Sequence, residues 1–292
     1  MKTNKDLVIF THTVNTGGST FRDFLCKYNW QHEGIASLNI ADVLVNTSLD
    51  TPMKRRHYME TVMLDEYTKK KNKINLIYGH HHLGMNRENL FTPRNVKYIV
   101  LLRDPIKRFI AHSHYLLTSK EIVNELINHP EVDFNLQTTY VSGIGCQKLM
   151  ADKTDLENAK SYLEKYFFIG LMEQYDASVE LFCKQFQLPF NGYTYNTHRV
   201  TKVKNKIPNE VIEILKEKCK LDIELYEFGK SLFEKKLEAY KNTASIVPTT
   251  KDKVLFFLKT YDLNFAKLKR KIQDKIRPDI NQQKTIVDIL KG

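Results

Sequence analysis

The segment that most limits how this chain can fold lies near its start. Asp6-Leu-Val-Ile-Phe10 is a short apolar run rich in branched residues, which reads as a buried strand. It passes directly into Thr11-His-Thr-Val-Asn-Thr-Gly-Gly-Ser-Thr20, and then into Phe21-Arg-Asp-Phe-Leu-Cys-Lys27, whose apolar residues recur at helical spacing. Strand, glycine-containing loop and helix, in that order, form the unit with which α/β proteins bind phosphates. Three further apolar runs repeat the pattern. Ile74–Tyr78 leads to Gly79-His80-His81-His82, and Val96–Leu102 leads to Arg103-Asp104-Pro105 and a helix carrying Arg108, Phe109, Tyr115 and Leu116. Tyr166–Met172 leads to Glu173 and a helix through Val179, Leu181 and Phe182. Strands separated by helical stretches need crossover connections, which are right-handed and give a parallel sheet. The expected fold class is therefore α/β, a parallel sheet flanked by helices. The four loops just named then share the carboxyl edge, where ligands of such sheets bind.

The remaining chain reads as helical: Thr118 to Leu163 with breaks near Pro130 and Gly143, and two helices between Pro208 and Tyr240. No internal repeat is visible. The character changes after Val247-Pro248, because residues 251–292 hold eleven Lys and Arg against five Asp and Glu, with Val254–Leu258 the one strongly apolar cluster. This predicts an α/β domain over residues 1–245 and a basic helical extension over 246–292. The extension is either a solvated helix or a contact for a membrane surface or an oligomer partner. A net charge of +11 also suits acidic ligands. Coding bias toward Lys, Asn and Ile yields the same charge, and no nucleic-acid-binding module is recognisable, so no nucleic-acid partner is expected. Cys26, Cys146, Cys183 and Cys219 are widely spaced, so buried free thiols are expected rather than a zinc site or a disulfide framework. No segment reaches the roughly 18 apolar residues of a membrane span, and the first residues lack a signal-peptide core. A cytoplasmic chain is the expectation, in which the sequon at Asn46 has no role.

Chemistry concentrates in three places. In Thr16-Gly17-Gly18-Ser19-Thr20 the paired glycines let backbone N–H groups close around a phosphate, the next helix adds its dipole, and the Ser19 and Thr20 hydroxyls can donate. The loop lacks the Gly-Lys-Ser/Thr ending of a Walker A motif. Taken alone it is also compatible with an ordinary turn. Arg103, at a strand end, offers a bidentate fork for a phosphate, or alternatively a structural pair with Asp104. His80 follows its strand and Gly79 directly, and an imidazole suits proton abstraction at neutral pH. Side chains of adjacent residues diverge, so His80, His81 and His82 make a poor ligand set and no metal is expected.

Taken together, these segments resemble the sulfotransferase family that includes the heparan sulfate 2-O- and 6-O-sulfotransferases. Phe10 to Thr20 resembles that family's 5′-phosphosulfate loop, and Val100-Leu-Leu-Arg-Asp-Pro-Ile-Lys-Arg-Phe109 its 3′-phosphate motif. Gly79-His80 looks like the motif of the catalytic base, Ile169 to Asp176 like the fourth block, and Leu221 to Phe228 like the closing helix. The match covers about residues 6 to 240, in order. The resemblance implies a P-loop nucleotide-kinase-like fold that binds 3′-phosphoadenosine 5′-phosphosulfate (PAPS) and sulfates a hydroxylated acceptor, with a saccharide expected. It implies donor contacts from Thr16, Gly17, Gly18, Ser19, Thr20 and Arg103, catalytic roles for His80 and the residue at position 15, and a further donor contact from Arg199 in the basic stretch Asn196–Lys204. Two positions depart from the pattern. Asn15 stands where the family loop has a Lys that neutralises the leaving oxygen, and Ala111 stands where a Ser is expected, with Ser113 two residues on as its substitute. A sulfotransferase with a substitute cation, a relative using another donor and a catalytically silent binder all remain open. Arg22 and Lys97 are the nearby cations without an assigned place. The acceptor code, within residues 28–73 and 118–163, is not readable.

Overall fold

The computed structural model describes residues 6–29, 36–39, 74–80, 94–113, 125–130, 132–144, 147–165, 167–192 and 207–261, with isolated helical positions between 53 and 69. Five parallel strands run through it: β1 (Asp6–Thr11), β2 (Ala36–Asn39), β3 (Ile74–Gly79), β4 (Asn95–Leu102) and β5 (Phe167–Leu171), in the spatial order β2-β3-β1-β4-β5. The sequence predicts four of these. The fifth, β2, is the four-residue stretch Ala-Ser-Leu-Asn at the sheet edge, too short and too polar to show as an apolar run.

Strand order explains why the first loop matters. β1 lies at the centre, with Thr11 paired to Gly79 on one side and to Val100 on the other. The loop leaving β1 is therefore flanked by the loops leaving β3 and β4. Helices cover both sheet faces, as a parallel sheet requires, and β4 from Tyr98 to Leu102 and all of β5 are buried. These helices are α1 (Gly18–Asn29), α2 (Pro105–Ser113), α3 (Leu136–Ser142), α4 (Lys153–Lys165), α5 (Tyr175–Gln185), α6 (Asn209–Lys218) and α7 (Lys220–Ala239). The breaks expected near Pro130 and Gly143 fall between described helices, and α6 and α7 are the expected pair. Cys26, Cys183 and Cys219 are buried free thiols, and Cys146 lies outside the described residues.

An aromatic cluster fastens α1 and α5 to β5. The Phe182 ring lies 5.4 Å from Phe21, 6.1 Å from Phe24, 5.1 Å from Phe168 and 4.4 Å from Phe186. Beyond residue 245, Phe190 donates its N–H to the carbonyl of Ile246, and a helix over residues 250–261 sets the Phe256 ring against the Lys27 ammonium of α1 at 4.4 Å.

A polar network fixes the far side of the sheet. The α3 N-terminus has no cap from its own Asn135 side chain. Asp222 of α7 supplies one from across the fold: Oδ2 accepts the Gln137 N–H at 3.0 Å, and Oδ1 accepts the Thr138 N–H at 2.7 Å and the Thr138 hydroxyl at 2.8 Å. Arg108 of α2 sits 3.9 Å from Oδ2 and donates to the Phe134 carbonyl, and both ionic side chains are cut off from solvent. Burial pushes the Asp222 carboxyl up to about 6 against the opposing pull of Arg108 and the capped N–H groups.

Two outcomes test this packing. Phe182→Ala removes the ring shared by α1, α5 and β5 and is expected to cost about 3–5 kcal/mol in urea unfolding. An aspartate in an unfolded chain titrates near 3.9, about two units below the folded value, so Asp222 contributes up to about 3 kcal/mol of stability. That contribution is fully present below about pH 4 and lost as pH rises through about 6. Unfolding free energies from about pH 4 to about pH 7 should therefore fall in the wild type and less in Asp222→Asn; an identical slope in both would place the titration elsewhere.

Candidate active site

The ladder between β1 and β3 continues one residue past the strands, where the His12 N–H donates to the Gly79 carbonyl at 3.0 Å. This brings His12 and His80 side by side, with ring centroids 4.4 Å apart, and the His12 ring also stacks on Phe10 at 5.6 Å. His80 Nδ1 lies 2.7 Å from the His12 carbonyl oxygen. A carbonyl only accepts, so Nδ1 carries the proton and Nε2 is the basic nitrogen. One main-chain contact thus orients the imidazole and selects the tautomer that a general base needs.

His12 also shapes the loop. A Cβ on Gly18 would fall 1.9 Å from His12 Cδ2, so the backbone lies against the imidazole more closely than any side chain permits. Gly17 adopts φ +80°, and a Cβ there would meet the Met172 sulfur of the turn after β5 at 2.4 Å. The Gly17-Gly18 pair is clamped between these neighbours. The Gly17 carbonyl accepts from the Phe21 N–H at 3.4 Å and from the Tyr175 hydroxyl at 3.4 Å. Helix geometry gives the first-turn amides of α1 no acceptor within the helix, and they carry its positive dipole end. Ser19 is exposed at that end and Thr20 is buried. The Thr16 hydroxyl is turned away, donating to the Thr13 carbonyl at 2.8 Å, so position 16 has its main chain to offer.

Arg103 leaves β4 beside this loop. Its Nη1 donates to the Asn15 carbonyl at 2.8 Å. Burial lowers its pKa while Glu173 and Asp104 raise it, and a guanidinium stays charged throughout. Asn15 itself adopts φ +63°, a left-handed conformation that Asn tolerates better than most residues. Its side-chain nitrogen lies 3.0 Å from His112 Nδ1 of α2. The two cations without an assigned place have other partners. Arg22 pairs with Asp23 at 2.9 Å and stands over the Tyr78 ring, and Lys97 lies toward the amino end of β4, over Phe186. The charge next to Asn15 comes instead from Arg103.

Of the residues proposed from sequence, Asn15, Thr16, Gly17, Gly18, Ser19, Thr20, His80 and Arg103 gather at one sheet edge. Ser113 is the last residue of α2, and Arg199, His81 and His82 lie outside the described residues. Among the described residues no group of three His, Cys, Asp or Glu side chains could hold a metal ion, and no helix is long and apolar enough to cross a membrane. Three roles were not anticipated: His12 as the wall of the loop, and Gln137 and Glu173 as anchors of the Arg103 main chain. The Gln137 side chain accepts the Arg103 N–H and donates to the Arg103 carbonyl, both at 2.9 Å, and Glu173 Oε1 accepts the Asp104 N–H at 3.2 Å. His12 and Glu173 had a local signal, each lying just after a strand, whereas Gln137 had none.

Two glycines whose positions exclude a Cβ and a guanidinium at the same edge make this loop a candidate cradle for a phosphate-bearing ligand. No protein-family profile matches the chain. Three curated relatives do. Heparan-sulfate 6-O-sulfotransferase 2 of Mus musculus and of Homo sapiens are each 26% identical over 278 aligned residues, covering 78% of this chain and 44% of the relative. The Gallus gallus protein of that name is 24% identical, covering 78% of this chain and 67% of its own length. The chain spans less than half the length of the two mammalian relatives. The motif resemblance thus extends into similarity along most of the chain, and with a parallel α/β sheet beneath it supports a family of the heparan-sulfate sulfotransferase type.

Proposed function

We propose that this chain is a sulfotransferase that uses PAPS as donor and a saccharide hydroxyl as acceptor. The observation that carries this reading is the meeting, at one sheet edge, of a glycine cradle, a charged arginine and an imidazole with a defined basic nitrogen. In this reading the first-turn amides of α1, with Ser19 and Thr20, hold the 5′-phosphosulfate, and Arg103 holds the 3′-phosphate. Bound there, the donor supplies an activated sulfuryl group for in-line transfer to the acceptor oxygen, with adenosine 3′,5′-bisphosphate leaving. His80 Nε2 takes the acceptor's proton, while Nδ1 stays tied to the His12 carbonyl and keeps the ring aimed. Arg103, bonded to the Asn15 carbonyl, ties the 3′-phosphate grip to the loop at the position where the family carries a Lys.

A second reading, a silent nucleotide-binding relative, is favoured by the uncharged Asn15 side chain. Turnover separates the two. Adenosine 3′,5′-bisphosphate is expected to raise the melting temperature, ATP to raise it less, and Arg103→Ala to abolish the shift. Equal stabilisation by ATP, or none by either nucleotide, would rule out the donor. With labelled donor and a panel of heparan-type saccharides, the wild type should transfer sulfate. His80→Ala should lower kcat about 10²–10⁴-fold while retaining bisphosphate affinity. Nucleotide binding without transfer to any acceptor would establish the silent binder instead.

A further inference from the structure

The main chain around Arg103 is held by the Gln137 and Glu173 side chains, and α7 holds both residues in turn, Gln137 by its backbone N–H and Glu173 by its carboxylate. The Gln137 amide bonds the Arg103 N–H and carbonyl as a neighbouring strand would, at 2.9 Å on both counts. The next amide, the Asp104 N–H, is held by Glu173 Oε1 at 3.2 Å. The peptide between residues 103 and 104 is thus fixed through its carbonyl from α3 and through its N–H from the turn after β5. Behind these two anchors stand Asp222 and Tyr226, four residues apart and therefore on one face of α7. Asp222 accepts the Gln137 N–H at 3.0 Å, and the Tyr226 hydroxyl donates to Glu173 Oε2 at 3.0 Å. Asn135 adds a brace, with its Oδ1 accepting the Asp222 N–H at 3.0 Å and its Nδ2 donating to the Lys218 carbonyl at 2.9 Å.

We infer that α7 is the positioning element of the donor site, with Asp222 acting through Gln137 and Tyr226 acting through Glu173 to set the Arg103 main chain. The inference rests on the donor reading above and deepens it. A bidentate grip tolerates errors of only about 0.5 Å, and an arginine on a long side chain reaches that precision only if its backbone is fixed. Apolar residues would fill the buried space behind α3 at lower cost than an ionised carboxylate. The carboxylate is the group that can accept two adjacent N–H donors at the start of α3 and so aim Gln137. Asp222 and Tyr226 bond Gln137 and Glu173, so each would act on the ligand through another residue.

The test compares two ligands that differ only in the 3′-phosphate: adenosine 3′,5′-bisphosphate and adenosine 5′-monophosphate. Titration calorimetry is run on the wild type, Tyr226→Phe and Gln137→Met, with melting temperatures measured alongside. Tyr226→Phe removes one hydroxyl and keeps the ring, so a folded protein is expected. Both variants should bind the bisphosphate about tenfold more weakly, since Tyr226→Phe loses one hydrogen bond to a carboxylate and Gln137→Met loses two to the Arg103 main chain. Both should bind the monophosphate as the wild type does. Unchanged bisphosphate affinity in Tyr226→Phe, or equal weakening of both ligands, would overturn the inference and leave the donor reading intact. A wild type that binds no bisphosphate would overturn the donor reading, and this inference with it.

Discussion

Asp222 has no access to water, and the other parts of the site depend on how that carboxylate is satisfied. Its two oxygens cap α3, face Arg108 of α2 and anchor α7, joining three helices that stand far apart in the chain. A buried charge is costly unless every lone pair finds a donor, so the arrangement is close to all-or-none. Once α3 is capped in this way, Gln137 extends the sheet by one false rung beyond β4. The carboxyl edge of the sheet therefore begins from a framework that is polar yet cut off from solvent.

The opposite wall is built from an imidazole. His12 follows the central strand, lies against Phe10, excludes any Cβ from position 18 and presents its carbonyl to His80. One residue thus sets both the shape of the anion loop and the tautomer of the candidate base. Arg103 closes the circle from the other side by bonding the Asn15 carbonyl, so a hydrogen bond joins the end of β4 to the loop after β1.

Much of this architecture was legible in the sequence because β1, β3, β4 and β5 are largely buried. Such strands read as apolar runs, as Asp6–Phe10, Ile74–Tyr78, Val96–Leu102 and Tyr166–Met172 do. The edge strand β2 escaped because Ala-Ser-Leu-Asn obeys no such demand. The glycine loop, His80 and Arg103 were legible because they directly follow strands. The supporting side chains were not. A helix cap is ordinarily sought within a few residues of the helix start, whereas Asp222 reaches α3 across a sequence separation of 84 residues. Likewise, nothing near Asn15 in the chain indicated that Arg103, 88 residues on, would bring it charge.

These separations have a kinetic consequence. The loop after β1 lies within the first twenty residues, yet Arg103 arrives with β4, its anchors Gln137 and Glu173 with α3 and the turn after β5, and the supports of those anchors with α7. Each closure must meet its entropy cost before any contact returns stability. A chain emerging from the ribosome would hold the residues of the loop long before Met172 and Tyr175 could wall it or Tyr226 could dock against Glu173. The edge that begins with the first strand is therefore completed by the last helices to join the sheet.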